Sequence, residues 1–167
     1  MITLKDIILA LTDKEINIDE KLITEAVIDS RKAIPGSLFI ALAGERSDGH
    51  EYIAAAFKNG AQFALVHKDV ASDFRVLDLR KAEKLAKKDI PETPFCIRVK
   101  DSLAALQQIA RYWRKKLSLR VIGITGSVGK SSTKELVAEV LAQKFHTYKN
   151  PGNYNNEIGL PLTILNL

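Results

Sequence analysis

The chain has 167 residues, 25 Lys+Arg against 20 Asp+Glu for a formal charge of +5, and 46% hydrophobic against 27% charged residues. This is the balance of an ordinary globular protein with length enough for one real core. No apolar run approaches the ~20 residues needed to span a bilayer, and the apolar stretch at 7–11 is too short for a signal sequence, which excludes membrane insertion and secretion. The single cysteine, Cys96 in Phe95-Cys96-Ile97, reads as a small core residue, and His50, His67 and His146 form no metal pair. A reducing, cytoplasmic compartment is expected. The positive charge suits anionic ligands such as nucleotides, and equally suits simple solubility.

In chain order, Thr3-Leu4-Lys5-Asp6 is a capping-box pattern before Leu4, Ile7, Ile8 and Leu11, and predicts a helix over 4–12. Strands are expected at 24–28 and 37–41, separated by Asp29-Ser30-Arg31 and a Pro35-Gly36 turn. A polar loop, Gly44-Glu45-Arg46-Ser47-Asp48-Gly49-His50, leads to a helix that ends at Asn59 with Gly60 as its C-terminal cap. A strand at 62–66 completes a strand–helix–strand order. Residues 68–94 look irregular, with a short Lys-rich helix near 80–88. A strand at 95–99 follows, and Asp101 then caps a helix whose Leu103, Leu106, Ile109, Ala110 and Trp113 share one face. Its basic tail, Arg111 to Lys116, fits the helix macrodipole better than a nucleic-acid surface, and no nucleic-acid partner is expected.

A domain boundary is placed at residue 117 because the pattern changes there. An apolar strand is expected at 119–125, a glycine loop at 126–131, a helix at 132–145 with Leu136, Val137, Val140 and Leu141 inside, and a short strand at 146–149. Thr125-Gly126-Ser127-Val128-Gly129-Lys130-Ser131-Ser132 carries the sharpest chemical signal. Glycines let successive backbone N–H groups converge on phosphate oxygens, and the helix that follows adds its positive end. Lys130 suits the β/γ-phosphates and Ser131 a Mg²⁺ ion, so a nucleoside triphosphate site is expected. One departure from the common loop is Ile124, where a glycine usually stands.

That shortened loop resembles the Mur ligases and the folylpolyglutamate synthases. Asp29-Ser30-Arg31, Ile34-Pro35-Gly36-Ser37-Leu38-Phe39, the 44–50 loop, and Gly152-Asn153-Tyr154-Asn155-Asn156-Glu157-Ile158-Gly159 make it similar to the Mur ligase family from end to end. Within the family, the 152–163 stretch resembles the branch that joins D-alanyl-D-alanine to UDP-N-acetylmuramoyl-tripeptide in peptidoglycan precursor synthesis. The resemblance implies an ATP- and Mg²⁺-dependent amide ligase acting through an acyl phosphate. It implies an α/β fold: a uridine-nucleotide-binding domain over 1–117 and the opening of a doubly wound P-loop ATPase domain over 118–167. Lys130 would be the catalytic cation and Ser131 the metal ligand. Gly126, Ser127, Val128, Gly129, Lys130, Ser131, Ser132, Asn153 and Asn156 would contact ATP. Ser30, Arg31, Gly44, Arg46, Asp48, Gly49 and His50 would contact the UDP substrate. Read from the residues alone, the asparagines also suit turns and Asp29–Arg31 also suits a surface pair. The chain reads as a fragment without ligase turnover of its own, and its apolar 158–167 stretch is expected either to seek a partner by self-association or to be disordered and poorly packed, with 1–117 well folded. Another Mur-type ligase, a small P-loop kinase or GTPase, and a non-catalytic nucleotide-binding module are the alternatives.

Overall fold

In a computed structural model, which describes residues 1–44, 47–81, 85–152 and 154–167, the chain is organised on a five-stranded parallel sheet. Its strands are β1 (Ala26–Val27), β2 (Leu38–Ile40), β3 (Phe63–Val66), β4 (Val76–Asp78) and β5 (Phe95–Arg98), in spatial order β1-β2-β3-β5-β4. β4 lies in the stretch expected to be irregular. The short runs expected to be strands at 24–28, 37–41, 62–66 and 95–99 all pair, trimmed at their ends.

Strand alternation builds two cores, because successive side chains leave opposite faces. Leu38, Ile40, Phe63, Leu65, Phe95 and Ile97 point to one face, where α1 (Leu4–Thr12) and α3 (Ser102–Lys116) cover them. Phe39, Ala41, Ala64, Val66 and Cys96 point to the other, beneath α2 (Ile53–Lys58). Burial raises the Cys96 thiol to about 12, as befits a core residue rather than a reactive one.

The helix termini follow their caps. Thr3 and Asp6 exchange the reciprocal bonds of a capping box at α1. Asp101 accepts from the N–H groups of Leu103 and Ala104 to start α3. Gly60, at φ +109, closes α2, and a side chain there would meet the Pro35 backbone at 2.8 Å. Of the Lys-rich helix expected near 80–88, residues 82–84 lie outside the described residues, and the described flanks are 3₁₀ turns at Leu79–Lys81 and Lys87–Asp89.

Beyond Leu117 the expectations need correction. No strand forms at 119–125 or at 146–149. A strand exists only as part of a ladder, and no described strand of this chain lies beside either stretch. α4 runs Lys130–Ala142 and buries none of its residues; Leu136 and Val140 are exposed rather than inside. The apolar 158–167 stretch finds a partner within the chain. It forms α5 (Gly159–Leu165), which packs on α3 and β1 and buries Leu162 and Leu165 in the core of the N-terminal sheet. No described helix is long and apolar enough to cross a membrane.

Candidate functional site

Parallel strands bring their C-terminal ends to one edge of the sheet, and the described residues among those predicted for the uridine nucleotide lie on the connections that leave it. After β1, Asp29 caps a 3₁₀ turn, Ser30–Lys32, and holds the Arg31 guanidinium through Nε at 2.9 Å and a terminal nitrogen at 2.7 Å. The paired Arg31 side chain and its backbone N–H lower the Asp29 carboxyl to about 2. Arg31 nevertheless stays 87% exposed, so its remaining donors face solvent. Ser30 is buried, and its carbonyl accepts from the Asn59 amide at 2.9 Å.

After β2, the loop bearing Gly44 turns back through the Gly44 N–H to the Ser47 carbonyl and a bridge between Ala43 and Asp48. Gly49 must be glycine because a Cβ there would lie 2.7 Å from the Leu42 nitrogen. Arg46 lies outside the described residues. Asp48 accepts from the His50 N–H and from its Nδ1, and pairs with Lys68 at 2.5 Å. Lys68 first, then the His50 bonds, holds the Asp48 carboxyl well below the usual carboxylate range. The other ring nitrogen of His50, Nε2, accepts from the backbone N–H groups of His67 and Lys68 at 3.2 and 3.3 Å. Both nitrogens are thereby committed, so His50 ties the β2 and β3 ends together rather than presenting a free imidazole.

Sequence reasoning missed the partners in this network. His67 stacks edge-on against His50 with ring centres 4.5 Å apart, and its Nδ1 lies 2.9 Å from the Ser102 hydroxyl at the start of α3. The available signal was position: His67 and Lys68 directly follow β3, at the edge where ligands of parallel sheets bind.

The phosphate loop is assembled by local geometry. Gly126 and Gly129 adopt φ of +149 and +82, which brings the loop into the first turn of α4. A Cβ on Gly126 would meet nothing nearer than the Val128 carbonyl at 3.7 Å, so the concave side is open. α4 has no side-chain N-cap, which leaves its first N–H groups facing outward as an anion site requires. Lys130 sits at the first helical position, two residues earlier than the predicted helix start, and curls its ammonium onto the carbonyl of Gly126. Ser127, Val128, Ser131 and Ser132 are exposed. Lys134, one turn on, holds the Asn150 and Gly152 carbonyls at 2.9 and 3.0 Å and so sets the following turn beside the helix. Asn156 accepts from the N–H groups of Ile158 and Gly159 and initiates α5, the turn chemistry its residue type favours. Asn153 lies outside the described residues.

A parallel α/β sheet followed by a glycine loop that opens into a helix defines the class: an α/β protein with a P-loop. The chain belongs to the Mur ligase family. The family model described as "Mur ligase family, catalytic domain" matches residues 22–114, and "Mur ligase middle domain" matches residues 124–167. Among its relatives, a Synechocystis UDP-N-acetylmuramoyl-tripeptide–D-alanyl-D-alanine ligase is 42% identical over 83% of this chain, and the Bacillus subtilis enzyme of the same name is 38% identical over 88%. The chain spans 27% and 28% of those proteins' lengths. Among solved structures, MurF from Acinetobacter baumannii superposes with a TM-score of 0.73 at 30% identity, over 98% of this chain and 32% of that one. MurF from Thermotoga maritima in complex with ADP gives 0.68 at 32% identity, over 89% of this chain and 30% of that one.

Proposed function

We propose that this chain carries the UDP-substrate-binding domain (1–117) and the opening of the ATP-binding domain (118–167) of a ligase that adds D-alanyl-D-alanine to UDP-N-acetylmuramoyl-tripeptide in the cytoplasm. The observation that carries the reading is the preformed cradle of Gly126, Gly129 and the uncapped start of α4, with Lys130 folded over it. In such a reaction the tripeptide carboxylate takes the γ-phosphoryl group of ATP to give an acyl phosphate, and ADP leaves as the bond to the β–γ bridging oxygen breaks. The dipeptide amine then attacks the acyl carbon and phosphate leaves. Phosphoryl transfer asks for positioning and charge neutralisation more than for covalent help. The backbone N–H groups of 126–132 would bind phosphate oxygens, and Lys130 would move from the Gly126 carbonyl to the transferring group. The exposed Ser131 hydroxyl fits Mg²⁺, which when bound supplies charge neutralisation between the phosphates. Asn153 and Asn156 would contact the nucleotide.

On the opposite side, Arg31 offers the pyrophosphate a forked donor already aligned by Asp29, beside the buried Ser30. Gly44, Arg46, Asp48, Gly49 and His50 would contact the uridine nucleotide, with Asp48 and His50 held by their network with Lys68. Calorimetric titration tests the two halves separately. Lys130→Ala is expected to weaken Mg·ADP at least about tenfold and leave the UDP-linked precursor unaffected, whereas Arg31→Ala does the reverse, by the ~1.5–3 kcal/mol of a charged hydrogen bond. Unchanged ADP affinity in Lys130→Ala overturns the nucleotide assignment.

A further inference from the structure

We propose that Asn166 is a positioning residue that fixes the phosphate-loop segment to the N-terminal sheet, its carboxamide standing in for the strand that would otherwise continue the sheet beyond β1. β1 is an edge strand in the order β1-β2-β3-β5-β4. Its outward-facing backbone groups at Ala26, a residue only 4% exposed, do not reach another strand. Asn166 meets both: its Oδ1 accepts from the Ala26 N–H at 2.7 Å, and its Nδ2 donates to the Ala26 carbonyl at 3.0 Å. One acceptor and one donor at that spacing reproduce the paired bonds of a ladder, and a carboxamide is the side chain that carries both in a peptide-like plane. A buried edge without such partners would carry the cost of two unsatisfied backbone groups.

The position of this clasp gives it its consequence. The chain leaves the N-terminal unit at Leu117 and returns to it at α5, and none of the described residues between 118 and 158 is buried. With so little packing of its own, that segment is located by what holds its two ends. At the returning end these are Leu162 and Leu165 in the core, the Gln107 amide on the Glu157 carbonyl at 3.2 Å, and the Asn166 clasp. Ala26 and Val27 continue directly into the Ser30–Lys32 turn that carries Arg31. Asn166 therefore ties the frame of Lys130 to the frame of Arg31, at a cleft of about 410 Å³ that it lines together with Ile28, Ile34, Tyr148 and Tyr154.

The clasp stands on geometry alone; its effect on ligands rests on the proposed function. Spin labels at Lys58→Cys and Glu139→Cys, both exposed, report the distance between sheet unit and α4, and hydrogen exchange reports the Ala26 amide. In Asn166→Ala, Ala26 exchange is expected to rise about tenfold or more and the label distances to broaden, with the unfolding midpoint of the sheet lowered because the Ala26 N–H and carbonyl lose their partner. Asn166→Asp keeps the acceptor and loses the donor, and is expected to fall between wild type and Asn166→Ala; if Asn166→Ala does not fold, this variant decides the matter. Mg·ADP and the UDP-linked precursor are each expected to bind Asn166→Ala within about twofold of wild type, while the effect of one on the other's affinity shrinks severalfold. Unchanged label distances with faster Ala26 exchange would show a plain edge cap and overturn the positioning role, and unchanged exchange overturns the clasp itself. If wild type binds neither ligand the proposed function fails, and the label and exchange results still decide the clasp.

Discussion

α3 and α4 are helices of similar length, 15 and 13 residues, with opposite uses. α3 begins at a carboxylate that satisfies two of its N–H groups and lays Leu106, Ile109, Ala110 and Trp113 into the core. α4 begins at a glycine, leaves its first N–H groups without a side-chain acceptor and buries nothing. A helix of this length is marginal by itself, so α3 is held by packing while α4 relies on local bonds and on whatever meets its N-terminus. The difference teaches that a cap stabilises a helix by filling the same donors that an anion needs. A helix that offers its N-terminus to an anion must forgo the cap that α3 uses.

The largest expected contrast separates buried from open leucines. Leu106→Ala is expected to destabilise the fold by ~2–5 kcal/mol through the cavity it leaves, and Leu136→Ala, 63% exposed, by less than about 0.5 kcal/mol. Urea denaturation of both variants measures this, and equal losses would break the comparison by showing that α4 is packed in solution. The caps come next: Asp101→Ala is expected to cost ~1 kcal/mol in the same assay. A smaller effect follows from pH. Burial first, with the neighbouring charges of His50 and Lys68, lowers the His67 pKa from 6.5, so the folded state takes up this proton less readily than the unfolded chain. Its contribution to stability is therefore complete above pH ~6.5 and is lost as the pH falls from there through the lower folded value. NMR titration of the His67 ring should place its midpoint below 6.5, and His67→Gln should flatten that part of the stability profile. The smallest effect is at the exposed pair of Glu135 with Lys149, where Glu135→Gln should leave the unfolding midpoint unmoved within error.

Local rules make much of the molecule legible in the order of its residues. The capping box at Thr3 and Asp6, the Asp101 cap, the period-two strands and the glycine loop each act within a few residues, and each takes the form its residues predict. The 126–131 loop belongs with these, because its shape depends on two glycines and the helix beside them. The 29–31 turn behaves likewise, although its residue types suit both a surface pair and a ligand contact; Arg31 makes the pair with Asp29 and keeps its outer donors exposed.

What the residues could not decide depended on distant neighbours. The 119–125 stretch has the composition of a strand, yet strand formation needs a second strand to accept its bonds, and none of the described strands lies there. The apolar face of α4 has helical spacing, yet the described residues leave Val137 and Leu141 only half-buried and Leu136 and Val140 exposed. His50, His67 and Ser102 are separated by 17 and 35 positions and become a network only because parallel strands end at a common edge. Asn166 meets Ala26 across 140 positions. Sequence by itself determined the caps, turns, alternation and glycine loop, since those are fixed by bonds between near neighbours. Tertiary structure alone decided which apolar segments were buried and which polar side chains met, because burial and pairing are properties of two surfaces and the sequence shows one at a time.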